Sequence, residues 1–147
     1  MDHWTAAKNI LKYLKRTKDM FLVYGGDKEL VVNGYVDASF DTDPDDSKSQ
    51  TGYVFTLNGG AVGWCSSKQS VMAGSTCVAE YIAASEAANE GVWMKEFISD
   101  LGVIPNALGP MKIFCDNTGA IALAKESRFH KRTKDIKRRF NTIRDLV

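Results

Sequence analysis

The chain has too few histidines and cysteines for ordinary zinc or disulfide chemistry. Its three cysteines, Cys65, Cys77 and Cys115, are isolated, with no C-x-x-C pair, and its two histidines, His3 and His130, lie far apart. The cysteines therefore read as small hydrophobes in a reducing compartment, neither bridges nor zinc ligands. No apolar run approaches the roughly 20 residues that a membrane span requires, and the N-terminus lacks a signal-peptide pattern, so the expectation is an intracellular protein. Net charge is nearly absent as well. With 19 Lys and Arg against 18 Asp and Glu, bulk charge does not announce a polyanion as partner. Internal repeats and low-complexity segments are missing.

What is present is unevenly placed. Asp41, Asp43, Asp45 and Asp46 crowd one segment, whereas Lys131, Arg132, Lys134, Lys137, Arg138, Arg139 and Arg144 crowd the C-terminal end. A basic end of this kind suits a polyanion, although a solvated helix face explains it equally well. The acidic segment lacks the glycine and closing glutamate of an EF-hand loop and reads as a solvated loop.

At 147 residues the chain suits one domain with a proper core. Trp4, Ala7, Leu11 and Leu14 predict an amphipathic helix over Thr5–Arg16 with lysines outside. Phe21–Tyr24 reads as a short strand, and Leu30–Phe40 (LVVNGYVDASF) as a buried one. Gly52–Leu57 and Ala61–Ser66 flank Asn58-Gly59-Gly60, a strong hairpin signal that completes a three-strand antiparallel meander. A long helix follows over Ser75–Asp100, with alanines and Gly91 forming a strip that lets it approach a sheet closely. Trp93 and Phe97 are expected to add bulk near its end. Lys112–Asp116 predicts a strand, Asn117–Lys125 a helix, and Ile136, Phe140, Ile143 and Val147 the apolar side of a final helix from Thr133. A fifth short strand fits between Lys125 and Lys131. These elements predict an α/β fold, a mixed sheet with helices packed on it.

Three carboxylates stand in awkward places. Asp37 ends the buried strand, Glu80 sits among alanines in STCVAEYIAASEAA, and Asp116 ends the apolar run KIFCDN. Singly each has a plain use: a turn, an exposed helix position, a helix cap. Two of them end predicted strands, where open α/β sheets place ligands, and the third opens a helix that crosses the sheet. Converging, they repel one another unless cations neutralise them. Mg²⁺ is the natural guest, because it takes hard oxygen ligands and shares its shell with substrate phosphate. Two such ions roughly 3.5–4 Å apart can serve both sides of a phosphodiester displacement.

GYVDASF, TGYVFTLNGGAVGWCSSKQ, STCVAEYIAASEA, CDNTGAIALAKE and FHKRTKDI occur here in the order seen in the ribonuclease H domain of copia-type retrotransposon polyproteins, which the chain resembles over nearly its whole length. HWTAAKNILKYLKRTKD resembles the segment joining reverse transcriptase to that domain. The resemblance implies residues 1–28 as a remnant of that connection and 29–147 as the ribonuclease H domain. It implies a five-stranded mixed sheet, three antiparallel then two parallel strands, with helices on both faces. It implies Mg²⁺-dependent cleavage of the RNA strand of RNA/DNA hybrids during reverse transcription, leaving 3′-hydroxyl and 5′-phosphate ends. Mn²⁺ is the substitute ion, and the reverse transcriptase domain of the same polyprotein is a partner. Localisation would be cytoplasmic, in a virus-like particle, with nuclear presence open.

Matched by motif, Asp37, Glu80 and Asp116 are the metal and catalytic acids. Asn117 is a candidate for a 2′-hydroxyl contact, and Ser66, Ser67, Lys68, Gln69, Arg132 and Lys134 for backbone phosphate. His130 is a candidate for product release or proton transfer. The chain departs from the pattern at Thr133-Lys134-Asp135-Ile136-Lys137: Asp135 holds a histidine position, and Lys137 stands where a fourth carboxylate is expected. Replacement by Asp135 needs a shifted helix, since residues on either side of Ile136 point about 200° apart. Ser39 likewise stands where an acid is common. Two readings remain: a nuclease of reduced activity, or a hybrid-binding or connection domain whose catalysis is weak or lost because of Lys137.

Overall fold

The structure, a computed structural model, describes residues 2–25, 31–102 and 110–125. Its elements run α1 (Asp2–Thr17), β1 (Val32–Ser39), β2 (Gln50–Leu57), β3 (Gly60–Lys68), α2 (Thr76–Leu101), β4 (Lys112–Cys115) and α3 (Thr118–Lys125). The sheet order is β3-β2-β1-β4. β1, β2 and β3 form the expected antiparallel meander, and β4 adds to β1 in parallel. The described sheet thus holds four strands rather than five. The fifth strand, expected between Lys125 and Lys131, lies outside the described residues, as does the final helix expected from Thr133.

The hairpin turn is set by two residues. Asn58 and Gly59 both have positive φ, 52° and 84°, and Leu57 pairs with Gly60, the mirror-image two-residue turn that suits strand twist. Phe21–Tyr24 does not form the expected strand. Instead the chain lies along the hairpin: Gly25 N–H donates to Asn58 O at 3.2 Å, and Tyr24 Oη–H to Ala61 O at 2.7 Å. A Cβ on Gly60 would run into the Tyr24 ring, so glycine is what admits this ring.

α2 begins at Ser75, whose hydroxyl accepts from Val78 N–H at 3.3 Å, and stops at Gly102, whose φ of 63° is left-handed. Its small-residue strip does what the spacing predicts: Ala79, Ala83, Ala87, Ala88 and Gly91 are buried. Ala83, Ala87 and Met94 pack on Val36 and Phe55, with Ile113 and Cys115 beside them. Trp93 and Phe97 contribute differently from expectation. They stack on each other at 5.4 Å and stay about half exposed, because the three-to-four-residue repeat gives the sheet-facing positions to Met94 and Ile98. α3 packs through Ala120 on Tyr81 and Ala88.

Both α2 and α3 therefore share one face of the sheet. On the other face Trp64, Val54, Tyr35 and Phe114 fall in one register row, with Tyr35 and Phe114 stacked at 5.2 Å. No helix among the described residues is long and apolar enough to cross a membrane.

Candidate active site

The acids meet where β1 and β4 run out. Val36 pairs with Cys115 in the last register pair of the parallel ladder, so Asp37 and Asp116 follow at neighbouring strand ends. Both are exposed. Glu80 comes from the first turns of α2, over the same ends, and is 7% exposed. Its burial follows from the sequence around it: the flanking alanines bring the helix backbone against β1.

β4 stops two residues short of where it would face Ala38, and Glu80 fills that place. Ala38 N–H donates to Glu80 Oε1 at 3.2 Å. On the other carboxylate oxygen, the Cys115 thiol donates to Oε2 at 3.9 Å. Donor atoms of Glu80, Cys115 and Asp116 all lie within 4.8 Å of one another. Asp37 is not in that tight group, yet its charge acts on it. Burial pushes the Glu80 carboxyl above its ordinary 4.5; the Ala38 hydrogen bond opposes this, and the charges of Asp37 and Asp116 add to it. Burial likewise pushes the Cys115 thiol above its ordinary 9.0, which keeps it a neutral donor.

Two carboxylates, Glu80 and Asp116, come together with no described cation beside them, Asp37 is near enough for its charge to act on Glu80, and Glu80 is held there at an electrostatic cost that a hard divalent cation would remove. Cys115 is the residue that sequence reasoning missed. Read as a buried hydrophobe, it is half-buried like the other two cysteines and touches the acid set. Its place next to Asp116 in CDN was the available signal. Behind it, a cavity of about 250 Å³ between α2, β4 and α3 is lined mostly by apolar residues such as Ala88, Gly91, Ile113 and Ala120, with Lys95 and Lys125 also in its lining.

The remaining candidates are scattered. Asn117 adjoins the acids and caps α3, its Oδ1 accepting from Ala120 N–H at 2.9 Å. Lys68 is exposed at the end of β3 but holds Asp43 at 2.6 Å and Asp46 at 3.0 Å, tying the acidic loop to the hairpin. Ser66 accepts from Gln50 Nε2 at 3.1 Å, and Ser67 is half-buried. Gln69 is 1% exposed; its amide donates to Thr51 Oγ1 and Ala79 O, so it joins β2 to α2 from inside. His130, Arg132, Lys134, Asp135 and Lys137 lie outside the described residues.

No protein-family model matches the chain, and no solved structure matches it either. Curated relatives do. Over 146 residues the chain is 43% identical to the Retrovirus-related Pol polyprotein from transposon TNT 1-94 of Nicotiana tabacum, covering 99% of this chain and 11% of that protein. The counterpart from transposon RE2 of Arabidopsis thaliana is 34% identical over 146 residues, 99% of this chain and 10% of that protein. A shorter stretch of 94 residues, 63% of this chain, is 44% identical to secreted RxLR effector protein 161 of Plasmopara viticola and covers 65% of it. The chain spans about a tenth of the length of the polyproteins it matches. Along nearly its whole length it is homologous to a segment of retrovirus-related Pol polyproteins from plant transposons.

Proposed function

We propose that the chain is a ribonuclease H domain of a copia-type element, a metal-dependent endonuclease acting on the RNA strand of RNA/DNA hybrids. The observation that carries the reading is Glu80: a buried carboxylate fixed by Ala38 N–H beside Asp37 and Asp116, at the ends of adjacent parallel strands. Three antiparallel strands followed by a parallel one, with α2 crossing between, support the fold, and the Pol polyprotein relatives support the setting.

Mg²⁺, when bound, supplies the Lewis acidity that a phosphodiester displacement needs. Glu80 and Asp116 would hold it, with Asp37 as the third carboxylate. The chain's own contribution is placement. Ala38 N–H fixes one oxygen of Glu80, the Cys115 thiol faces the other, and the exposed carboxylates stay open to a substrate approaching the strand ends. Asn117, beside Asp116, is positioned to meet that substrate.

A labelled RNA/DNA hybrid incubated with Mg²⁺, and separately with Mn²⁺, tests this. RNA-strand cuts that vanish in Asp37→Asn support the nuclease. Hybrid binding without cuts supports the second reading, a binding domain, which Lys137 in place of a carboxylate favours. Absence of both overturns the proposal.

A further inference from the structure

α2 lies on the sheet through a strip of small residues, and such a strip sets closeness rather than register. Apolar contact is non-directional, and the buried Ala79, Ala83 and Ala87 offer little to interlock. At the head of the helix Ala38 packs against the cluster of Ala73, Ala79 and Ile82, yet rotation by one residue, about 100°, would carry Glu80 away from Ala38. The charges of Asp37 and Asp116 also oppose the Glu80 carboxylate. A directional contact that does not involve Glu80 itself is needed to keep it aimed, and Gln69, directly after β3, supplies one. Its backbone N–H donates to Ser49 O at 2.8 Å, anchoring it beside the start of β2. Its side-chain amide has two N–H donors, and both are engaged: one with Thr51 Oγ1 at 3.1 Å, the other with Ala79 O at 2.9 Å. Thr51 is the register partner of Ala38, Ala38 donates to Glu80, and Glu80 follows Ala79 in the chain. These links close a ring through β1, β2, Gln69 and α2, and Ser49, Thr51 and Ala79 are fully buried along it.

We propose that Gln69 is a positioning residue for Glu80: it ties the first turns of α2 to β2 so that the carboxylate reaches the Ala38 N–H. Two features separate this from an ordinary core contact. Gln69 is 1% exposed, while its Oε1 accepts no hydrogen bond from the described residues. A half-satisfied buried amide is a costly way to fill volume, and methionine would fill that volume without leaving a polar atom unpaired. What methionine cannot do is hold the Ala79 carbonyl. The tether needs neither metal nor hybrid; its consequence for metal binding rests on the nuclease reading of the site.

Hydrogen exchange of the metal-free protein reads the tether at one amide. Ala38 lies beyond the last register pair of the β1–β4 ladder and donates to Glu80, so its protection reports that bond. Gln69→Met should speed Ala38 exchange at least about tenfold relative to the amides of β2 and β3, with a metal-free melting temperature within about 3 °C of wild type. It should also weaken Mg²⁺ binding in calorimetry by about tenfold. Unchanged Ala38 exchange overturns the proposal, and so does a uniform acceleration across β2, β3 and α2, which would leave Gln69 a core contact. Unchanged Mg²⁺ affinity in a variant whose Ala38 amide is freed overturns it as well. If Gln69→Met does not fold, Thr51→Val, which removes one leg of the tether, carries the same test: selective acceleration at Ala38 supports the proposal, and its absence overturns it. If Ala38 responds while the wild type neither binds Mg²⁺ nor cuts hybrid, the tether stands and the nuclease reading fails.

Discussion

The backbone N–H of Ala38 and the Oε1 of Glu80, 3.2 Å apart, join the end of β1, the strand between β2 and β4, to the first turns of the long helix. One hydrogen bond both satisfies a strand end that β4 does not reach and fixes a carboxylate away from water. The arrangement is costly without a cation, because burial and the Asp37 and Asp116 charges oppose ionisation of Glu80.

Glu80→Gln should therefore stabilise the metal-free protein while removing metal binding. The folded-state pKa of Glu80 is raised, so between the ordinary value of 4.5 and the raised one the native state holds more protons than the unfolded chain. Stability from this group is full below the ordinary value and is lost as pH rises through the folded one. The variant keeps an oxygen for Ala38 and never ionises. Its metal-free melting temperature at pH 7 should rise by about 2–4 °C, with a flatter pH dependence above pH 4.5. Added Mg²⁺ should raise the wild-type melting temperature and not the variant's. A variant that melts lower than wild type at neutral pH contradicts this account.

Gly34 and Gly63 should respond differently to the same methyl group. A Cβ on Gly34 would sit 2.7 Å from a ring carbon of Phe55 and 3.2 Å from Ile113, and Phe55 is 0% exposed with nowhere to go. A Cβ on Gly63 would meet only the terminal methyl of Met94, at 2.9 Å, the free end of a flexible side chain. Gly34→Ala should cost about 1–3 kcal/mol in urea unfolding, Gly63→Ala under about 1 kcal/mol. Equal costs would mean that the Phe55 ring is free to shift.

Much of this fold could be read directly from residue order. The hairpin followed from Asn58-Gly59-Gly60, and α2 from alanine spacing, because turn chemistry and periodicity are local properties. Asp37, Glu80 and Asp116 stood out because charge among apolar residues is visible without a structure. Other features depended on tertiary packing. Phe21–Tyr24 has strand-like composition, but pairing is decided by its neighbours, and it lies on the hairpin through Tyr24. Nothing in KQS showed that Gln69 would turn inward between Thr51 and Ala79. The thiol of Cys115 reached the acids only once β4 and α2 were set side by side.

Lys68 offers a separation between loop clasp and phosphate contact. Its hydrogen bonds hold the carboxyls of Asp43 and Asp46 below their ordinary 3.8. Their contribution is present above the ordinary value and is lost as pH falls through the lowered one. The groups are solvent-exposed, so screening leaves little for stability. Lys68→Ala should return both carboxyls toward 3.8 in an NMR titration and move the melting temperature by less than about 2 °C. If Lys68 also meets hybrid phosphate, the salt-dependence slope of binding should fall by about one. An unchanged slope would confine it to the clasp.

Asn117 carries a structural duty that must be separated from any role with substrate. Its Oδ1 caps α3 through Ala120 N–H, so Asn117→Ala should lose about 1 kcal/mol. Asn117→Asp should keep the cap, since a carboxylate accepts the same hydrogen bond and suits the positive helix end. The two substitutions share one chemical change: both lose the side-chain amide N–H, the only side-chain donor Asn117 could offer a 2′-hydroxyl. If that donor matters, hybrid cleavage or binding should fall in both, and in Asn117→Asp it should fall further than the repulsion from a new carboxylate beside Asp116 lowers metal-free stability. If binding tracks stability instead, weakening in Asn117→Ala and holding in Asn117→Asp, Asn117 is a cap alone. Cleavage and unfolding measured on the same preparations distinguish the two.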